Sequence, residues 1–133
     1  MPDRTVELDG QSLTLDAVHD VAERGATVSL GDGARQRMGA SQRVVADIVA
    51  RNAVVYGVTT GFGKLSDVAI PPDKLAALQV NLVRSHAAGV GPLLPEREVR
   101  AMMLLRANVM AKGFSGGRAL LPELLCGDRK SVV

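Results

Sequence analysis

Apolar and polar positions alternate only briefly at the start of the chain and then settle into a helical period. Val6-Glu7-Leu8 alternates, Asp9-Gly10 gives a turn signal, and Leu13 and Leu15 resume the apolar positions. That pattern predicts a small hairpin or two short extended pieces. Leu15 to Arg24 predicts a short helix with Val18, Val21 and Ala22 on its apolar face and Gly25 at its end. Thr27-Val28-Ser29-Leu30 is a short extended run. Asp32 is then the expected N-cap of a longer helix ending near Asn52, with Met38, Val45, Ile48 and Val49 on its buried side.

Ala53-Val54-Val55-Tyr56 predicts a brief strand-like run that feeds the loop Gly57-Val58-Thr59-Thr60-Gly61-Phe62-Gly63-Lys64. Pro71-Pro72-Asp73 opens the next helix, where Leu75, Leu78, Leu82 and His86 share one stripe. Gly89-Val90-Gly91-Pro92 ends it. Pro95-Glu96 starts another helix with Val99, Met102, Met103, Arg106, Val109 and Met110 along one side and Gly113 as its stop. A last helical stretch runs from near Arg118 to about Leu125. The chain is therefore expected to be mainly α, with short strands or a hairpin in its first third.

Composition supports helices packed on helices. Hydrophobic residues make up 47% of the 133 positions but aromatics only 2%, so the core must come from Val, Leu, Ile, Met and Ala. A formal net charge of +2, with no basic cluster interleaved with aromatics, predicts neither nucleic acid nor an anionic membrane as partner. No stretch approaches the ~20 apolar residues that span a bilayer, and the polar N-terminus leads into no apolar region, so a cytoplasmic location is expected. Cys126 is the only cysteine, which rules out an intrachain disulfide and cysteine-rich zinc sites. His19 and His86 are isolated, so no metal site is expected.

Three glycines within the seven positions from Gly57 to Gly63 demand unusual backbone dihedrals or a close approach. The loop is not a phosphate loop, because five residues, not four, lie between Gly57 and Gly63 and Lys64 is followed by Leu65, not by a hydroxyl. It is not a dinucleotide fingerprint either, because Ser66 stands where Gly or Ala is needed. Tyr56 directly precedes the loop. It suits either the rim of a core or, within a positive environment, a general base. His86 suits either a hydrogen-bonded core position or a pocket that recognises a substrate.

Taken together, three segments resemble the aromatic amino acid ammonia-lyase family in order and spacing. They run from Val55 to Lys64, from Leu78 to Gly91, and from Val99 through Asn108 to Gly116. The resemblance extends from about residue 3 to about residue 125. It implies the N-terminal portion of that family's helical fold. It also implies a mechanism in which an internal Ala-Ser-Gly cyclises into a methylidene-imidazolone electrophile, MIO, and a tyrosine removes a β-proton as ammonia leaves. Tyr56 matches that tyrosine, and Gly57, Gly61 and Gly63 match a loop expected to act as a mobile lid. Ser85-His86 matches the histidine-type pattern, where tyrosine-type members carry His-Leu and phenylalanine-type members Phe-Leu. Ser85 and His86 are thus expected to bind L-histidine, with urocanate as product. Another aromatic lyase or aminomutase of the family, or a non-catalytic helical interaction module, are the alternatives.

The chain also departs from the family pattern. No Ala-Ser-Gly occurs, since Gly39-Ala40-Ser41 is followed by Gln42. The chain itself is accordingly expected to bind no cofactor and to be inactive alone. Family members are several times longer and assemble as homotetramers, with each active site built from more than one subunit. The pattern is lost after Gly127, so residues 1–127 are expected to be the N-terminal portion of a lyase domain and 128–133 a non-native tail. The codons GAT CGG AAG AGC GTC GTG TAG, which encode this hexapeptide and a stop, occur in a widely used short-read sequencing adapter. Independently cloned genomic DNA should therefore read through codon 127 and reach Ala-Ser-Gly some tens of codons later. A stop codon directly after Val133 in that clone would refute this.

Overall fold

The computed structural model describes residues 5–127. Its elements in chain order are β1 (Thr5–Leu8), α1 (Leu15–Arg24), β2 (Thr27–Leu30), α2 (Asp32–Ala50), α3 (Leu75–His86), α4 (Glu96–Ala111) and α5 (Leu120–Gly127). Short 3-10 turns at Gly63–Leu65 and Pro72–Lys74 lie between α2 and α3. The chain divides into two compact units, one of Met1–Gln42 with Pro92–Val133, the other of Arg43–Gly91. The expected mainly helical fold with short strands in the first third is what forms. No helix of the described residues is long and apolar enough to cross a membrane.

The expected hairpin does not form. β1 pairs instead with β2 in parallel, in the register Thr5↔Thr27 to Leu8↔Leu30, with α1 as the crossover. The reason lies at the turn signal itself. The Asp9 carboxylate accepts hydrogen bonds from the backbone N–H of Gln11 (2.7 Å) and Ser12 (2.8 Å) and from the Ser12 hydroxyl (2.8 Å). This local turn satisfies the backbone without a returning strand. Thr14 then caps α1 by accepting from the Ala17 N–H at 3.2 Å. At its other end the helix closes on Gly25 in the left-handed region (φ 68°). β1 buries alternate residues, Val6 and Leu8, as a strand covered on one face must.

The first unit's core joins Val6, Leu8, Val21, Leu30, Ala34 and Met38 to Leu104, Ala107, Met110 and Ala111. α4 packs against α1, α5 and β1, and α5 packs against β2. The buried face of α4 is rotated from the expected one. Val99, Leu104, Ala107, Met110 and Ala111 are buried, whereas Met102 and Val109 are more than half exposed and Arg106 is exposed. The smallest residues, Ala107 and Ala111, are the most enclosed, because close helix approach favours short side chains. Val99 and Met110 of the expected face are thus buried and Met103 half-buried, while Met102, Arg106 and Val109 give way to Leu104, Ala107 and Ala111. Asp32 is the first helical residue of α2, not its N-cap, and Val45, Ile48 and Val49 are only half-buried.

One junction ties β1 to α2 and α4. Gly10 (φ 79°) lies so close to the end of α4 that a Cβ would fall 2.6 Å from the Lys112 nitrogen. The Arg37 guanidinium, on α2, donates to the carbonyl of Asp9 and, at 3.4 Å, to that of Ala111. Elsewhere in the unit, the buried Asp20 carboxylate accepts from Arg24 at 2.8 Å, and Arg35 of α2 pairs with Glu123 of α5. Cys126, a free thiol half-buried on α5, has its pKa pushed up by burial, which Arg35 opposes in part.

The Asp9 turn gives a pH dependence of defined sign. Its hydrogen bonds hold the carboxyl at about 2, below the ordinary 3.8. The folded-state pKa is depressed, so the carboxylate's contribution is complete above pH 3.8 and is lost as pH falls through about 2. The difference in Tm between wild type and Asp9→Ala should accordingly be constant near neutrality and shrink below about pH 4. An unchanged difference at pH 2 would contradict the assignment.

Candidate functional site

Every predicted site residue falls within the second unit, Arg43–Gly91. α2 ends with Asn52 in the left-handed region (φ 49°), where its N–H donates to the Val49 carbonyl at 3.1 Å. The expected strand at Ala53–Tyr56 does not form. The Val55 carbonyl instead accepts from the N–H groups of Val58 (3.1 Å) and Thr59 (3.0 Å), turning the chain through Tyr56 and Gly57. Gly57 supplies the positive φ of 76° that this turn requires.

The loop is closed at its base by backbone pairing. The Ile70 N–H donates to the Thr59 carbonyl at 2.9 Å and the Gly61 N–H to the Val68 carbonyl at 3.2 Å, around an antiparallel bridge between Thr60 and Ala69. Gly61 is needed for space, since a Cβ there would meet the Leu65 Cβ at 2.5 Å. Gly63 opens the 3-10 turn that brings Leu65 to that position.

Two residues of this loop were not singled out from the sequence as functional. Thr59 and Thr60 are both buried. The Thr59 hydroxyl accepts from the Val55 N–H (2.9 Å) and donates to the Ala53 carbonyl (2.6 Å). The Thr60 hydroxyl donates to the Gly61 carbonyl (2.9 Å) and accepts a long bond from the Gly57 N–H (3.4 Å). The available signal was a Thr-Thr pair between glycines, a context in which short hydroxyl side chains replace missing backbone partners.

Tyr56 is 64% exposed, so it does not occupy a buried core position. Its ring meets that of Phe62 edge-on, with centroids 6.2 Å apart and planes at 71°. On α3, Leu75, Leu78 and Leu82 are half-buried as the stripe predicts, but His86, the last helical residue, is exposed. Its Nδ1 lies 2.9 Å from the Leu82 carbonyl and 3.0 Å from the Ser85 hydroxyl, which itself donates to the same carbonyl at 2.9 Å. A carbonyl only accepts, so Nδ1 carries the proton, and in a neutral ring Nε2 is left as the acceptor. Ser85 and His86 are thus brought together. No hydrogen bond among the described residues joins either of them to Tyr56.

A cleft of about 420 Å³ in this unit is lined by apolar residues such as Val49, Ile70, Pro71 and Leu75, with Asn52 and Thr59. A smaller one of about 60 Å³ in the first unit lies against Val28, Leu104 and Cys126. Neither is lined by Tyr56, Ser85 or His86. The chemistry-bearing side chains, not these cavities, therefore define the candidate site. Among the described residues no cluster of three or more His, Cys, Asp or Glu side chains could hold a metal ion.

The fold is that of the corresponding part of an aromatic amino acid lyase. Residues 13–127 match that family's model, and the chain belongs to the family. Among curated relatives, the histidine ammonia-lyase of Streptococcus pyogenes serotype M5 (strain Manfredo) is 50% identical over 122 residues, which are 92% of this chain and 24% of that protein. The chain thus spans about a quarter of the length of the curated relatives it matches. Among solved structures, the tyrosine aminomutase of Streptomyces globisporus superposes with a TM-score of 0.86 at 42% identity, over 92% of this chain and 23% of that one. The histidine ammonia-lyase of Trypanosoma cruzi superposes with a TM-score of 0.81 at 41% identity, over the same shares.

The glycine assignments carry a stability prediction. Gly61→Ala should destabilise the chain by about 1–3 kcal/mol, the usual range for forcing an extra methyl group into filled space. Gly57→Ala should act through backbone strain instead, at roughly 1 kcal/mol. Denaturant melts of both variants measure the two effects, and a neutral Gly61→Ala would show that Leu65 does not fill that space.

Proposed function

We propose that this chain is part of an enzyme that eliminates ammonia from L-histidine to give urocanate. The observation that carries this reading is the Ser85-His86 pair, within a chain 50% identical to a histidine ammonia-lyase. An imidazole side chain offers an N–H donor and a ring-nitrogen acceptor. With Nδ1 committed to the Leu82 carbonyl, the Nε2 of His86 is matched to that donor. A leucine in its place would favour a benzene ring. This argues against a tyrosine or phenylalanine substrate and thus against the aminomutase alternative.

Tyr56 is the proposed base that takes the β-proton. The electrophile that activates the amino group in this family is MIO, made from Ala-Ser-Gly, a tripeptide these residues do not contain. The residues present therefore do not fit formation of that group, and their own contribution is proton removal and recognition of the imidazole. Gly57, Gly61 and Gly63 are proposed to let the loop beyond Tyr56 move over the substrate. Residues 1–127 are read as a portion of a lyase domain, and 128–133 lie outside the described residues. The parent enzyme is proposed to be a cytoplasmic homotetramer. The exposure of Tyr56 and His86 supports a site completed by polypeptide outside these residues, because general-base chemistry gains from exclusion of water.

The 133-residue chain alone should give no urocanate absorbance above a blank when incubated with histidine. In the longer enzyme that contains these residues, Tyr56→Phe should lower kcat by ~10²-fold or more, the scale of losing a general base. His86→Leu should instead weaken discrimination for histidine over phenylalanine or tyrosine by roughly ten- to a hundred-fold. Unchanged kcat in Tyr56→Phe would falsify the base assignment, and unchanged selectivity in His86→Leu would remove the basis for histidine as substrate.

A further inference from the structure

Tyr56 sits in a turn whose flanking backbone is held by two hydroxyl groups as well as by backbone bonds, the Ala53 N–H to the Ile48 carbonyl of α2 and the Val58 and Thr59 N–H groups to the Val55 carbonyl. On its N-terminal side, the Thr59 hydroxyl bonds both the Ala53 carbonyl (2.6 Å) and the Val55 N–H (2.9 Å). On its C-terminal side, the Thr60 hydroxyl takes the Gly57 N–H in a longer contact (3.4 Å). Thr59 is 7% exposed and its own backbone is bonded on both sides, N–H to Val55 (3.0 Å) and carbonyl to Ile70 (2.9 Å). Its carbonyl bond to Ile70 anchors it outside the turn, so a movement of Ala53 and Val55 relative to that anchor breaks the two short hydroxyl bonds.

Tyr56 itself has little side-chain packing to hold it. Its ring is largely exposed and meets only the edge of Phe62 among aromatic rings of the described residues. The direction of its phenol is thus set mainly by the backbone at 55–57, where Thr59 bonds both the N–H and the carbonyl of Val55. We propose that Thr59 is a positioning residue for Tyr56: its buried hydroxyl clamps Ala53 and Val55 and so fixes the direction in which the phenol points.

The proposal rests on the lyase reading for its catalytic consequence but not for its structural one, and the two are tested separately. Tyr56 is the only tyrosine and there is no tryptophan, so the intrinsic fluorescence of the whole chain reports on this residue alone. Thr59→Val keeps the shape and removes the hydroxyl, while Thr59→Ser keeps the hydroxyl. With folding checked by far-UV circular dichroism, Thr59→Val should lower the fluorescence anisotropy of Tyr56 and raise its quenching by acrylamide towards those of a free tyrosine amide. Thr59→Ser should match wild type. A residue that only stabilises the fold would lower the Tm and leave the Tyr56 signal of the folded chain unchanged, and that result overturns the proposal. Amide exchange in the unmodified chain gives an independent check that survives any failure of Thr59→Val to fold. The Val55 N–H should be protected, and exchange at the rate of an open loop overturns the clamp.

In the longer enzyme, Thr59→Val should lower kcat by up to ~10²-fold, the scale of a misplaced catalytic group, with KM little changed and Thr59→Ser restoring turnover. Loss confined to KM would overturn the positioning role. Full turnover in Tyr56→Phe would instead count against the lyase assignment of Tyr56, leaving the fluorescence and exchange results to judge the clamp on their own.

Discussion

The first unit depends on a contact that leaves no room for a side chain. Gly10 lies directly against the backbone at Ala111 and Lys112, and Arg37 donates to carbonyls on both sides of that contact, those of Asp9 and Ala111. An arginine is suited to this because a single Nη2 carries two N–H donors and here meets both acceptors. These part-buried carbonyls lie just beyond a strand and at the end of a helix, where the regular ladders no longer supply partners. With β1 and α4 tied there, α1 and β2 close over the remaining apolar face, and Leu8, Met38 and Ala111 end almost wholly enclosed. α2, the helix that carries Arg37, also runs on to the start of the turn that bears Tyr56.

How much of this was legible in the sequence depended on whether the deciding interaction was local. α1 was read to its terminal residues, because Gly25 and the spacing of Val18, Val21 and Ala22 are local signals. The partner of β1 was not, because a parallel pair leaves no mark at a turn and the Asp9 side chain imitates a hairpin signal while ending the strand. The buried face of α4 was legible only in part, at Val99 and Met110, for a different reason. Its packing is decided by how closely another element can approach, so Ala107 and Ala111 outweigh Met102 and Val109.

The site shows the same division. Tyr56, Ser85 and His86 stand out by identity and by their neighbours in sequence, whatever the surrounding fold. The hydroxyls of Thr59 and Thr60 acquire meaning only when their partners are known, since any loop contains threonines. The loop's polar groups are satisfied largely from within residues 53 to 70, with one bond to α2 through the Ala53 N–H and the Ile48 carbonyl. A segment that supplies its own hydrogen bonds can keep its shape where side-chain packing is sparse, which is the situation of an exposed tyrosine. It also separates two demands on one stretch of chain: a fixed base beside Tyr56, and glycines beyond it where the backbone tolerates dihedrals closed to other residues.

Cys126 gives the chain a property unrelated to catalysis. Only the thiolate reacts with alkylating agents, and partial burial on α5 raises the pKa of this sulfur and so favours the unreactive thiol. Its labelling rate therefore rises when α5 loosens and the sulfur becomes more exposed, which makes a single side chain a reporter of local opening in the first unit. The lone fluorophore lies in the other unit. One thiol and one phenol thus divide the molecule between a chemical and an optical signal, so that loosening of either half is measurable without adding a probe.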